Sequence, residues 1–91
     1  MTGSTRHTVL VVDDDPAIRK VLSLGLERLG FTVRLASNGQ EALDLLTSAG
    51  LDPDCVLLDI RMPILSGKEA LPKIRGLFPL TPVIMLTAYN D

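Results

Sequence analysis

Apolar residues in this chain come in short blocks whose spacing alternates between strand-like and helix-like periods. Val9–Val12 is a continuous apolar run, the pattern of a strand buried on both faces. Asp15 and Pro16 follow as a helix N-cap and first helical position. Ile18, Val21, Leu22, Gly25, Leu26 and Leu29 then recur at helical spacing, and Gly30 supplies the stop. Phe31, Val33 and Leu35 alternate with Thr32, Arg34 and Ala36, which predicts a half-exposed strand at a sheet edge. Asn38 and Glu41 have capping-box spacing ahead of Ala42, Leu43, Leu45 and Leu46, predicting a second helix that ends near Gly50. Cys55–Leu58 repeats the two-faced strand pattern and runs into an acid, Asp59. The loop that follows leads to Ser66 and Glu69, a second capping box opening a third helix. Pro72 inside that helix must kink it or cost it a hydrogen bond. Thr81 and Pro82 introduce the last apolar run, Val83–Leu86.

Strand–helix alternation three times over, then a strand, predicts an α/β fold with a parallel sheet and right-handed crossovers. Neither a linker nor a repeat interrupts it, so residues 1–91 read as one domain. Composition adds mainly exclusions. The net charge of −2 carries no basic footprint, so no direct nucleic acid binding by this chain is expected. The single cysteine, Cys55, rules out an internal disulfide and reads as a packed core thiol. No apolar stretch has the length of a signal-peptide core or a membrane span, so no membrane partner and a cytoplasmic location are expected. His7, Met62 and Met85 belong to no metal-ligand cluster.

Chemistry concentrates where strands end. The first strand runs into Asp13, Asp14 and Asp15, and the third into Asp59. Sites in open parallel sheets lie beyond the carboxyl ends of the strands, where strand order reverses. If those two strands are neighbours, about 4.8 Å apart, their carboxylates converge. Each pair of charges at that distance repels by roughly 3–4 kcal/mol at an effective dielectric near 20. Protonation, a basic partner or a cation must offset this. An all-oxygen ligand set favours Mg²⁺, and a carboxylate can accept a phosphoryl group as an acyl phosphate. Acids after strands are also ordinary helix caps, and on these grounds alone a capping role for the triplet stands beside the ligand role. Thr87, ending the fourth strand, can donate a hydroxyl to a phosphate or simply shape a turn.

The segments "VLVVDDDPAIRKVL", "VLLDIRMPILSG" and "PVIMLTA", in this order and spacing, closely resemble the receiver domain of two-component response regulators. The resemblance spans Thr8 to Asp91. It implies a flavodoxin-like doubly wound parallel sheet of order 2-1-3-4-5, present here as 2-1-3-4. It implies that Asp59 accepts phosphate from a histidine kinase or phosphotransfer protein. It implies Mg²⁺ held by Asp14 directly, by Asp13 through water, by Asp59 and by the backbone carbonyl of Arg61. Thr87 matches the switch hydroxyl, with the Ala88 N–H beside it. The wording "DIRMP" and "LTAY" is most similar to regulators of the enhancer-binding type, so the implied output is transcriptional.

A full receiver carries a fourth helix, a fifth strand, a phosphate-pairing lysine after it, and a fifth helix, and the chain as given stops before them. Lys68 is read as a solvated charge, not as that lysine, and Tyr89 does not match the family's aromatic switch position. A receiver fragment is expected to leave about half of one sheet face bare and its fourth strand open, and so to self-associate. Arg19, Lys20, Arg28, Lys73 and Arg75 read as solvated helix faces, those near the acidic end helping to dock a kinase. Two rival readings remain. One is a receiver that only binds partners. The other is a Mg²⁺-dependent phosphohydrolase using Asp13 and Asp15 as its D-x-D pair.

Overall fold

The two segments whose apolar runs do not alternate become the central strands. In the computed structural model, which describes residues 6–86, β1 (Thr8–Val12) and β3 (Cys55–Asp59) lie side by side. β2 (Thr32–Ala36) pairs outside β1 and β4 (Val83–Leu86) outside β3. All pairings are parallel, and the order is β2-β1-β3-β4. The helices α1 (Pro16–Arg28), α2 (Gly39–Thr47) and α3 (Gly67–Leu77) fill the crossovers. This is the predicted α/β architecture, with element ends within a few residues of the sequence reading.

Register decides what each face buries. Leu10 and Val12 align with Val56 and Leu58, and these with Val83 and Met85. Together with Ala36, Ala42, Leu46, Met62, Ala70 and Ile74 they form the main core, under α2 and α3. Leu10, Leu58 and Ile74 have lost all contact with solvent, each worth about 1.5–3 kcal/mol of transfer free energy. The opposite face carries Val9, Val11, Cys55, Leu57, Ile84 and Leu86, of which α1 covers only the β1 and β2 side. Val9 and Val11 are buried there, Cys55 and Leu57 only half so, and Ile84 is 52% exposed. Among the described residues, the expected half-bare face and open fourth strand are both present. α1 shares in this: none of its residues is buried, and Val21 is 66% exposed.

The caps follow from the predicted residues, with one rearrangement. Asp15 caps α1, accepting the Ala17 N–H at 2.9 Å, with Pro16 at the first helical position. Ser66 and Glu69 form a complete capping box on α3. At α2 the box is only half made. Asn38 accepts the Glu41 N–H, but the Glu41 carboxylate reaches one residue further back, to the N–H and hydroxyl of Ser37. Pro72 sits on the exposed side of α3, where the helical carbonyl it leaves unpaired faces water. The predicted alternation in β2 fails at its end. Ala36 is the buried residue and Leu35 is exposed, because Ala36 aligns with Val12 over the main core while α1 only partly shields the other face.

The loop from β3 to α3 is held at both ends by close backbone approach. The Gly67 N–H donates to the Ile60 carbonyl at 3.0 Å, and that of Gly39, opening α2, points at the carbonyls of Ile64 and Leu65. Leu65 sits at φ 49°, in the left-handed region. A Cβ at Gly67 would overlap the Asp59 carbonyl oxygen and crowd the Ile60 Cα. Both are backbone atoms that cannot swing aside. Gly67→Ala is therefore expected to destabilise the fold by about 3 kcal/mol or more. Gly25→Ala, on the open side of α1, is expected to stabilise by about 0.5–1 kcal/mol. Urea unfolding of the two variants beside the parent measures both, and equal midpoints for Gly67→Ala and the parent would contradict the packing described.

Candidate functional site

Strand pairing places the site. Val12 and Leu58 are register partners at the carboxyl ends of β1 and β3, so the next residues, Asp13 and Asp59, emerge side by side. The Asp13 N–H continues the ladder to the Ala36 carbonyl at 3.1 Å. Its carboxylate turns back to accept the Asp15 N–H at 2.9 Å. Asp59 uses one oxygen in the same way, accepting the Arg61 N–H at 3.1 Å. Asp13 and Asp59 are 7% and 9% exposed, whereas Asp14 faces solvent. Carboxylate oxygens of Asp13, Asp14 and Asp59 all lie within 4.8 Å of one another. Asp15 stays outside the trio, since its carboxylate is committed to the α1 cap. The triplet therefore divides: two ligand-type acids and one cap.

A cleft of about 570 Å³ opens over these groups, walled by Ile18 of α1, Arg61 and Leu86. Three carboxylates at this spacing form a hard, oxygen-only donor set, the kind that takes Mg²⁺. Among the described residues no donor is bonded to the Arg61 carbonyl oxygen, which leaves it free as a further ligand. Burial holds the Asp59 carboxyl above its ordinary range. The Arg61 N–H opposes this, and the nearby charges of Asp13 and Asp14 add to it. Lys68 lies exposed at the start of α3, as expected of a solvated charge. Thr87 and Ala88, the expected switch positions, lie outside the described residues.

One residue of the site escapes the sequence reading. Arg19 is half-buried, not solvated, and its Nη1 donates to the Asp13 carbonyl at 2.7 Å. The only available signal was its place one turn beyond the Asp15 cap, from which an arginine side chain can fold back over the strand end.

In an open doubly wound parallel sheet, ligand sites lie beyond the carboxyl ends of the strands where the order reverses, and here that place holds an acidic cleft. The sequence pattern of the response regulator receiver domain matches residues 9–91. The regulatory protein AtoC of Escherichia coli is 44% identical over 91 residues, all of this chain and 19% of the relative. The response regulator MprA of Mycolicibacterium vanbaalenii is 45% identical over 83 residues, 91% of this chain and 35% of the relative. Among solved structures, the response regulator TrrA of Thermotoga maritima, in complex with Mg²⁺-BeF, superposes with a TM-score of 0.82 at 40% identity. The match covers 92% of this chain and 71% of TrrA. A CheY-like receiver domain protein from Methanospirillum hungatei gives 0.89 at 32% identity, covering 96% and 68% of the two chains.

The chain belongs to the response regulator receiver domain family of two-component signalling. It spans a fifth to about a third of the length of the curated regulators it matches. Receiver domains are regulatory modules rather than conventional enzymes, and among the described residues no helix is long and apolar enough to cross a membrane.

The raised Asp59 carboxyl has a consequence for stability. The folded chain holds this proton more tightly than the unfolded chain does. Its contribution therefore turns unfavourable as pH rises from the ordinary carboxylate range through the folded value, and stays constant above it. In metal-free buffer Asp59→Asn is expected to match the parent at acidic pH. At neutral pH it should be more stable than the parent, with a higher Tm. Thermal melts of both across this range check it, and a parent more stable than the variant at neutral pH would contradict it.

Proposed function

We propose that Asp59 is the phosphoacceptor of a receiver module, taking its phosphoryl group from a phosphohistidine of a histidine kinase or phosphotransfer protein. The observation that carries this is the convergence of the Asp13, Asp14 and Asp59 oxygens within 4.8 Å at the mouth of the cleft. Asp59 attacks phosphorus through a carboxylate oxygen, the P–N bond breaks, and the electron pair leaves on the imidazole nitrogen. The Arg61 N–H holds one Asp59 oxygen and leaves the other to react. Asp14, Asp13, Asp59 and the Arg61 carbonyl would hold Mg²⁺. When bound, this ion neutralises charge on the phosphoryl oxygens and the acids together. Thr87 and Ala88 complete the site in this reading as hydroxyl and N–H partners of the phosphoryl group.

Phosphorylation adds about −1.5 to −2 charges next to acids already in excess. The output therefore comes through rearranged contacts near the cleft. In this reading the output is transcriptional, as similarity to the DNA-binding transcriptional regulator NtrC of Escherichia coli supports. The hydrolase reading has no support, since the second acid it needs, Asp15, is the α1 cap.

Incubation with Mg²⁺ and a small acyl phosphate is expected to add the mass of one phosphoryl group to the parent and none to Asp59→Asn. Asp14→Asn should slow the gain at least tenfold at subsaturating Mg²⁺. A gain retained by Asp59→Asn would reject the site assignment. No gain by the parent would leave a module that acts through binding alone.

A further inference from the structure

The acidic turn is closed by three bonds that form a ring. The Asp15 N–H donates to the Asp13 carboxylate at 2.9 Å, the Arg19 N–H to the Asp15 carbonyl at 3.0 Å, and the Arg19 Nη1 to the Asp13 carbonyl at 2.7 Å. Of the three, only the last uses a side chain from the body of α1, and it joins the helix to the end of β1. Arg19 makes no ion pair, since the one ion pair among the described residues is His7 with Asp54. An arginine that reaches an acidic turn would ordinarily fork onto a carboxylate. Here it takes a backbone carbonyl instead and leaves the carboxylates available.

We propose that Arg19 is a positioning residue for the acidic pair: its bond to the Asp13 carbonyl fixes the turn that presents Asp13 and Asp14 toward Asp59. The Asp13 N–H is already tied to Ala36, so the Arg19 bond immobilises the second side of the same residue. What remains for Asp13 and Asp14 is chiefly side-chain rotation. A ligand set preordered in this way loses less entropy when it closes on a cation. The cation step rests on the Mg²⁺ reading given above, whereas the ring itself does not.

The test uses the 91-residue chain with Arg19→Ala, Arg19→Lys and, as a control cation on the same helix, Lys20→Ala. Amide hydrogen exchange by NMR, without metal, reports the ring directly at Asp15. Calorimetric titration with Mg²⁺ alone reports its consequence. Arg19→Ala is expected to speed Asp15 exchange about tenfold and weaken Mg²⁺ binding about tenfold, the scale of one charge-assisted hydrogen bond. Arg19→Lys, which keeps a donor of similar reach, should bring both within about threefold of the parent, and Lys20→Ala should change neither. Far-UV circular dichroism shows that each variant is folded. Unchanged Asp15 exchange in Arg19→Ala overturns the proposal, as does equal loss in the alanine and lysine variants. Tighter Mg²⁺ binding by Arg19→Ala also overturns it, because Arg19 would then act only as a repelling charge. A parent that binds no Mg²⁺ refutes the metal reading instead, and the metal-free exchange then decides the ring by itself.

Discussion

Everything at the functional end of this fold depends on one enforced repulsion. The pairing of β1 with β3 leaves Asp13 and Asp59 no choice but to emerge together, and Asp14 joins them within 4.8 Å. Repulsion between like charges this close works against domains that are stable by only about 5–15 kcal/mol, and solvent at the exposed Asp14 screens part of it. The core under α2 and α3 must carry that cost, and the backbone N–H groups of Asp15 and Arg61 reduce it by bonding to two of the three carboxylates. The residual strain is electrostatic. A cation placed between the acids would relieve it.

The same geometry couples Asp59 to the neighbouring loop and to α2. Asp59 begins the loop that ends at Gly67, and that loop touches the start of α2 through Ile64, Leu65 and Gly39. Gly67 and Gly39 admit no side chain at these contacts. A change of charge at Asp59 is thus applied to a short, tightly seated loop rather than to free chain. α1 is the looser partner, with no buried residue and, among the described residues, half the sheet face beside it uncovered.

Much of this was legible in the sequence because burial on two faces leaves runs, such as Val9–Val12 and Cys55–Leu58, that alternation cannot imitate. Those runs identified the central strands, and their acidic ends located the cluster of acids that forms the candidate site. The cap role of Asp15 was legible from Pro16 alone. What the pattern could not show was tertiary in origin. Ala36 and Leu35 exchange their expected burial because the two sheet faces are unequally covered. Glu41 bonds Ser37 instead of Asn38 because side-chain reach, not spacing, selects the donor. Leu65 adopts a positive φ that its identity argues against, held by the loop on either side. Arg19 looked like any helix-surface cation, since nothing in local spacing reveals a carbonyl left open at the end of a neighbouring strand.

On the reading proposed above, the acids repel without metal and a cation couples them favourably. A double-mutant cycle on Asp14→Asn and Asp59→Asn, followed by urea unfolding with and without saturating Mg²⁺, measures that coupling directly. Without metal, the two substitutions are each expected to stabilise, and their effects together to fall short of the sum by about 1 kcal/mol or more. With Mg²⁺ each substitution should destabilise, reversing the sign. Strictly additive effects under both conditions would contradict the account.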